Sequence, residues 1–335
     1  MDKKALMDAF FANERPAYAP VGFWHHFVSF HDHYHYQDPA VYDTVVSGQK
    51  RFIDEVDPDF LKIMSDGFFG HPSVCAKTIR TPDDLTEVRS VGPDHEWITR
   101  QVEYVKDICD YAGDGLYKLY NIFSPLQYIR LRFEEFDEDF KKFTGLFKQD
   151  PEAMIHAATE IGKDVNTLVD RLFEETGIDG IYYSVQSVQD KWTFNKERHD
   201  AVVRPLDLMV LDNIARHSRV NMIHICGYFG YTNDLSWYRD YPVQAFNWAV
   251  YSENVDLAEG KRIFGGKPVL GGFDNRPKTL LYTGSDEDVR REVHRLLDAA
   301  GVAGVGLGAD CTIGDDVPVK RLELIRQISR DYCAR

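Results

Sequence analysis

Cysteine is scarce in this chain: five in 335 residues, an odd number. That count excludes a disulfide framework and fits a reducing compartment, where thiols stay free for metal or nucleophilic chemistry. Basic residues are also in deficit, with 39 Lys and Arg against 54 Asp and Glu, for a formal net charge of −15. Phosphate backbones demand a basic surface, so nucleic acid is not an expected partner. No run approaches the ~18 apolar residues of a membrane span. The opening Met1-Asp-Lys-Lys-Ala-Leu has basic residues but no apolar core of a signal peptide. A cytoplasmic protein without a membrane partner is the expectation. Also missing are a G-x-G-x-x-G turn, a Walker loop, low-complexity tracts, Gly/Ser linkers and sequence repeats.

What is present is a rhythm of short apolar runs separated by amphipathic stretches, the pattern of a parallel sheet covered by helices. Eight runs read as strands: 20–24, 60–64, 116–120, 180–185, 220–225, 245–249, 268–272 and 304–308. Helices are expected over 39–56, 96–112, 151–176 and 286–300, the third with Pro151 at its start and Gly177 as its stop. Eight βα units predict an α/β fold of the (β/α)8 TIM barrel type, here one domain over 1–335 with an N-terminal helical extension. An open doubly wound sheet is the alternative, and it would more often carry a Gly-rich first turn.

In such a barrel the functional groups gather after the C-terminal ends of the strands. Those positions hold His25 and His26, then Asp66, Asn121, Gln186, His224 with Cys226, Asn247 inside its strand, Asp274 and Cys311. The His224-Ile225-Cys226 triplet with a distant Cys311 is the strongest chemical signal. Alternate strand residues share a face, as two ligands of one ion must. One nitrogen and two sulfur donors suit a zinc ion with a fourth position left open. Free cysteine also packs as a small buried hydrophobe, so spacing alone leaves both readings standing.

Other segments are less pointed. Five of the twelve histidines fall in His25–His35, expected as a loop at the substrate mouth, as a second metal site, or as a merely His-rich surface that binds metal adventitiously. Gln186 is a candidate substrate contact. Asp274 would either support a ligand histidine or cap the next helix. Glu134-Glu-Phe-Asp-Glu-Asp-Phe-Lys-Lys142 reads as a solvated acidic helix start with no catalytic role.

At the cysteine–histidine set the chain resembles the uroporphyrinogen decarboxylase superfamily. Within it, the zinc-dependent methylcorrinoid:thiol methyltransferases, of which coenzyme M-type enzymes are examples, are the most similar. The segments that carry the resemblance are Ile223-His-Ile-Cys-Gly227, Leu257-Ala-Glu-Gly-Lys-Arg-Ile-Phe-Gly265, Val269-Leu-Gly-Gly-Phe-Asp274 and Cys311-Thr-Ile-Gly-Asp-Asp-Val-Pro318. Pro20–Trp24 and Ile63–Asp66 match more loosely. The cobalamin-independent methionine synthases have a similar zinc arrangement. The resemblance implies Zn2+ on His224, Cys226 and Cys311, a small thiol as acceptor, and a methylcorrinoid on a partner corrinoid protein as methyl donor.

Asp66 sits where the decarboxylases keep a substrate-gripping aspartate. With Gln186 it is the expected catalytic pair, and His25, Asp66, Gln186, Asn247 and Asp274 are the expected substrate contacts. Where the decarboxylases need an arginine pair after the first strand, this chain has His25-His26-Phe27-Val28-Ser29, which counts against a tetrapyrrole decarboxylase. That lyase and a non-catalytic corrinoid- or tetrapyrrole-binding barrel are the alternatives. A methionine-synthase-like site takes a glutamate ligand from the end of the next strand; here no carboxylate stands at that place, and Glu253, further along, is the candidate for a fourth ligand, with water as the alternative.

Overall fold

The computed structural model describes residues 2–137, 140–186, 194–227 and 231–334. Eight strands form one parallel sheet: β1 (Val21–Gly22), β2 (Leu61–Ile63), β3 (Lys118–Phe123), β4 (Gly180–Val185), β5 (Met222–Ile225), β6 (Ala245–Trp248), β7 (Val269–Phe273) and β8 (Val305–Ala309). Their order is β1-β8-β7-β6-β5-β4-β3-β2, with helices between strands, which is a nearly closed (β/α)8 TIM barrel. The third strand runs past its expected end, because its ladder with β4 continues to Phe123↔Ser184.

The strands are buried on both faces, and their period-two alternation divides two cores. Outward residues such as Ile63, Ile122, Ile181, Ile223, Ile225 and Val269 pack with the surrounding helices. Inward residues form a second cluster of Phe60, Met64, Leu119, Tyr182, Met222, Ala245 and Leu270. The helix Lys3–Phe11 adds Met7 and Phe10 to that inner cluster. The N-terminal extension is therefore part of the barrel interior's packing.

Helix starts follow the local chemistry. Asp38 and Asp150 each accept a backbone N–H ahead of Pro39 and Pro151, and Ser285 with Asp288 makes a capping box. The helices over Pro39–Val56, Glu96–Ala112, Pro151–Glu175 and Asp286–Ala300 match the expected spans. None of the described helices is long and apolar enough to cross a membrane.

Among the described residues, β1 and β2 share no ladder. β1 is short, and Gly22 allows the Phe60 ring to press against its backbone, where a Cβ would meet ring carbons at 2.4 Å. Side chains make up the missing pairing. At one end the fully buried Asp59 accepts from Val21 N (2.8 Å) and the Tyr18 hydroxyl (2.7 Å). At the other, Asp66 accepts from Phe27 N (2.7 Å) and faces His26 Nδ1 (2.7 Å).

Candidate metal centre

The alternation that sends Ile223 and Ile225 outward turns His224 and Cys226 inward, and Cys311 follows β8 by two residues. One donor atom from each of His224, Cys226 and Cys311 lies within 4.8 Å of the other two.

The tautomer of His224 follows from its neighbour. Asn247 Nδ2 donates to Leu270 O (2.9 Å) and Ala309 O (3.2 Å), which fixes its amide orientation. Its Oδ1 then accepts from the Tyr182 hydroxyl (2.7 Å) and from His224 Nδ1. An amide oxygen only accepts, so Nδ1 carries the imidazole proton. The other nitrogen, Nε2, is left with a lone pair; it is buried and, among the described residues, without a hydrogen-bond partner.

The two thiols are unequal. A hydrogen bond from Cys226 draws the Cys311 thiol down against the effect of burial, with His224 and Lys62 adding to the pull. The same hydrogen bond, then burial and the Cys311 charge, push Cys226 up. A buried orphan nitrogen beside two sulfur donors is costly unless an electrophile pairs with it. The donor set is that of a zinc ion with one position left for substrate, so these residues fit zinc.

These groups open into a cavity of about 370 Å³, within the ordinary size range of small-molecule sites. Met64, Phe69, Phe123, Leu131 and Val185 supply its apolar wall, and Asn121, Ser184 and Gln186 its neutral polar groups. Asn121 bridges the Ser184 hydroxyl (2.9 Å) and Ser65 (2.8 Å), which fixes its rotamer. Gln186 lines the cavity, with Nε2 buried and, among the described residues, without a hydrogen-bond partner.

The other expected contacts are placed differently. His25 turns its ring edge-on to Phe27 and Phe52, and its neighbour His26 lines the cavity instead. Asp66 is not part of the lining. Burial pushes its carboxyl up, but the His26 imidazole and the Phe27 N–H outweigh that and lower it overall. Asn247 lies behind His224 rather than in the lining. Asp274 grips Arg276 through Nη2 (2.6 Å) and Nε (2.9 Å), organising the turn after β7. Glu253 accepts from Asn233 N (2.8 Å) and Nδ2 (2.7 Å), not from the cysteine–histidine set.

Three charged lining residues, Lys62, Arg130 and Glu134, were absent from the expected set. Lys62 lies fully buried over the Trp24 and Tyr182 rings (4.7 and 4.2 Å). Burial lowers its pKa to about 8, despite the opposing pull of Cys311, Asp66 and Cys226. Its signal was legible: a lysine at an inward position of the apolar run Phe60-Leu-Lys-Ile-Met64. Arg130 and Glu134 reach the cavity from the helix Pro125–Asp137 and pair at 3.5 Å. Glu134 opens the acidic run expected to be solvated, and residues 138–139 of that run lie outside the described residues.

No family model and no curated protein matches this chain. Solved structures do. A B12-independent methionine synthase from Shewanella sp. W3-18-1, in complex with selenomethionine, is similar with a TM-score of 0.58 at 12% identity, over 95% of this chain and 99% of that one. A putative vitamin-B12 independent methionine synthase from Listeria monocytogenes gives 0.54 at 12% identity, over 88% and 87%. A GH5_18 chain from Streptomyces cattleya, in complex with Manb1-4GlcNAc, gives 0.50 at 15% identity, over 92% and 81%. At such identities the likeness is one of fold, and this fold hosts unrelated chemistries.

Proposed function

We propose that this chain is a zinc-dependent methyltransferase that alkylates a small thiol, with His224, Cys226 and Cys311 as the zinc ligands. The observation that carries the reading is the orphaned, buried Nε2 of His224 beside the Cys226–Cys311 pair at the floor of a small cavity. Zinc bound there would supply a Lewis-acidic position at which an incoming thiol loses its proton at neutral pH. Two sulfur donors give the metal more charge than three histidines would, which suits thiolate alkylation better than water activation.

The chain's own residues supply the rest. Asn247 holds the His224 proton on Nδ1. Lys62 sets a buried cation near the two sulfurs and offsets their negative charge. Met64, Phe69 and Phe123 keep water away from a nucleophile that hydration would weaken. Gln186 presents an unpaired amide N–H to a polar group of the acceptor. Two neighbours in fold are named methionine synthases, a thiol-methylating activity, which favours this reading over a decarboxylase.

The proposed donor is a methylcorrinoid presented at the cavity mouth by a partner corrinoid protein, since a cavity of about 370 Å³ suits the small acceptor. The fold neighbours are named B12-independent, so the donor is what the assay must decide. Zinc-loaded protein is given homocysteine or coenzyme M together with methylcobalamin, and S-methyl product is read by mass spectrometry. Product that disappears with zinc in Cys311→Ala supports the reading. Product equal in Cys311→Ala refutes the zinc mechanism. No product with methylcobalamin but product with a methylfolate would refute the corrinoid donor alone.

A further inference from the structure

A second group of metal-ligating side chains stands at the edge of the same cavity and has no part in the chemistry above. One donor atom from each of His26, His33 and Asp66 lies within 4.8 Å of the other two. The rings of His26 and His33 sit 4.2 Å apart, and both line the cavity that holds the cysteines. His33 is 4% exposed. Among the described residues neither of its ring nitrogens makes a full hydrogen bond, and the Val28 backbone is the one main-chain group that acts on the ring. A buried imidazole with both nitrogens unsatisfied is rare and costly. The ionisable groups that act on it most strongly are the His26 imidazole and the Asp66 carboxylate.

We infer that His26, His33 and Asp66 form a second divalent-cation site, separate from the thiolate centre and open to the same cavity. Two imidazoles and one carboxylate are nitrogen and oxygen donors without sulfur, a set that takes first-row divalent ions such as Fe2+, Co2+ or Zn2+ and leaves positions open for substrate or water. Asp66 can serve it without losing its structural role. One oxygen accepts from Phe27 N, and the other faces His26 Nδ1. A cation entering there displaces the proton that His26 and Asp66 share. The two sites differ in softness. The thiolate centre holds zinc, while the histidine–carboxylate site accepts harder ions and presents a cation to an oxygen donor of the substrate.

The inference does not depend on methyl transfer, and the test separates the two centres. Protein loaded with one equivalent of Zn2+ is titrated with Co2+ and the metals are counted after gel filtration. The expected result is one Zn2+ and one Co2+ per chain. His33→Gln and the more exposed His26→Gln should each lose the Co2+ and keep the Zn2+, with circular dichroism unchanged. Cys311→Ala should lose Zn2+ from the thiolate centre and still bind Co2+ at the second. The second Co2+ should show weak visible bands and no intense sulfur-to-cobalt charge transfer. One metal per chain at saturation overturns the inference. So does Co2+ that survives both histidine variants, or that is lost only when the exposed pair His31 and His35, 4.4 Å apart, is replaced.

Discussion

Asn247 bears the sharpest test of the metal centre, because it touches no substrate and acts on one ligand alone. Its Oδ1 holds the His224 proton on Nδ1, so that Nε2 faces the sulfurs as a lone pair. Asn247→Ala removes that acceptor, and the imidazole is then free to rotate and to carry its proton on the ligating nitrogen. Loss of the group that orients a metal-ligating histidine typically weakens metal binding about 10- to 100-fold, roughly 1.4–2.8 kcal/mol. The Tyr182 hydroxyl and the Leu270 and Ala309 carbonyls lose a partner too, which costs about 1–3 kcal/mol of fold stability for each group left unsatisfied. Asn247→Asp keeps an oxygen toward His224 and is the control. Competition with a fluorescent zinc chelator gives the affinity, and urea unfolding gives the stability. Zinc should bind at least tenfold more weakly to the Ala variant than to the Asp variant. Equal affinities in two folded variants would show that Asn247 does not position His224 for a metal.

Three further outcomes follow from buried charges elsewhere. Lys62→Met removes one of the charges that favour the Cys311 thiolate, so the pH midpoint for iodoacetamide alkylation of the metal-free cysteines should move upward; an unmoved midpoint would refute that role. Asp59→Ala strands Val21 N and the Tyr18 hydroxyl and removes the carboxylate 3.6 Å from Arg326 Nε, and should cost about 3–5 kcal/mol in urea unfolding, with a loss under 1 kcal/mol counting against Asp59 as the clasp of the seam. Asp207, pushed up to about 7 by burial despite donation from Tyr183 and Tyr241, keeps its proton when folded and ionises near 3.9 when unfolded, so it lowers stability as pH rises from about 4 to about 7, by at most about 1.4 kcal/mol per pH unit. Nearby His199, held down to about 4 by burial, works the other way, because unfolding lets it take up a proton below about 6.5; Asp207→Asn should therefore make stability climb more steeply with pH between about 4 and 6.5, and an unchanged urea profile would sink the argument.

How much of this was legible in the sequence depends on whether a property is local. The eight strands were legible because each is a short apolar run between amphipathic helices, and the helix starts because Asp38-Pro39 and Asp150-Pro151 are cap-and-start pairs. The shared face of His224 and Cys226 was legible from the period of a strand. What was hidden depends on register between strands. Asn247 reads as a possible substrate contact until the β5–β6 ladder pairs it with His224. His25 and His26 are indistinguishable in a loop, and only the packing of His25 on Phe52 decides which one turns to the cavity. Asp274 has the spacing of a support for a ligand histidine, but Arg276, two residues on, takes its carboxylate.

Asp66 shows why a strand-end carboxylate cannot be assigned a role from position alone. The barrel is held at its β1–β2 seam by aspartates at both ends of β2, Asp59 and Asp66, and the inward lysine between them is Lys62. A charge-rich β2 belongs where no ladder satisfies its neighbour's backbone, since the N–H groups of Val21 and Phe27 must find acceptors among side chains. The same seam brings His26 from beyond β1 and Asp66 from beyond β2 together at the cavity edge. The carboxylate that completes the fold is therefore also the one placed to hold a cation, and a cation there would tie β1 to β2 more firmly than a shared proton does. Binding at the second site should then raise the stability of the barrel by linkage, and it should do so in a Cys311→Ala background as well, because that site draws no ligand from the thiolate centre.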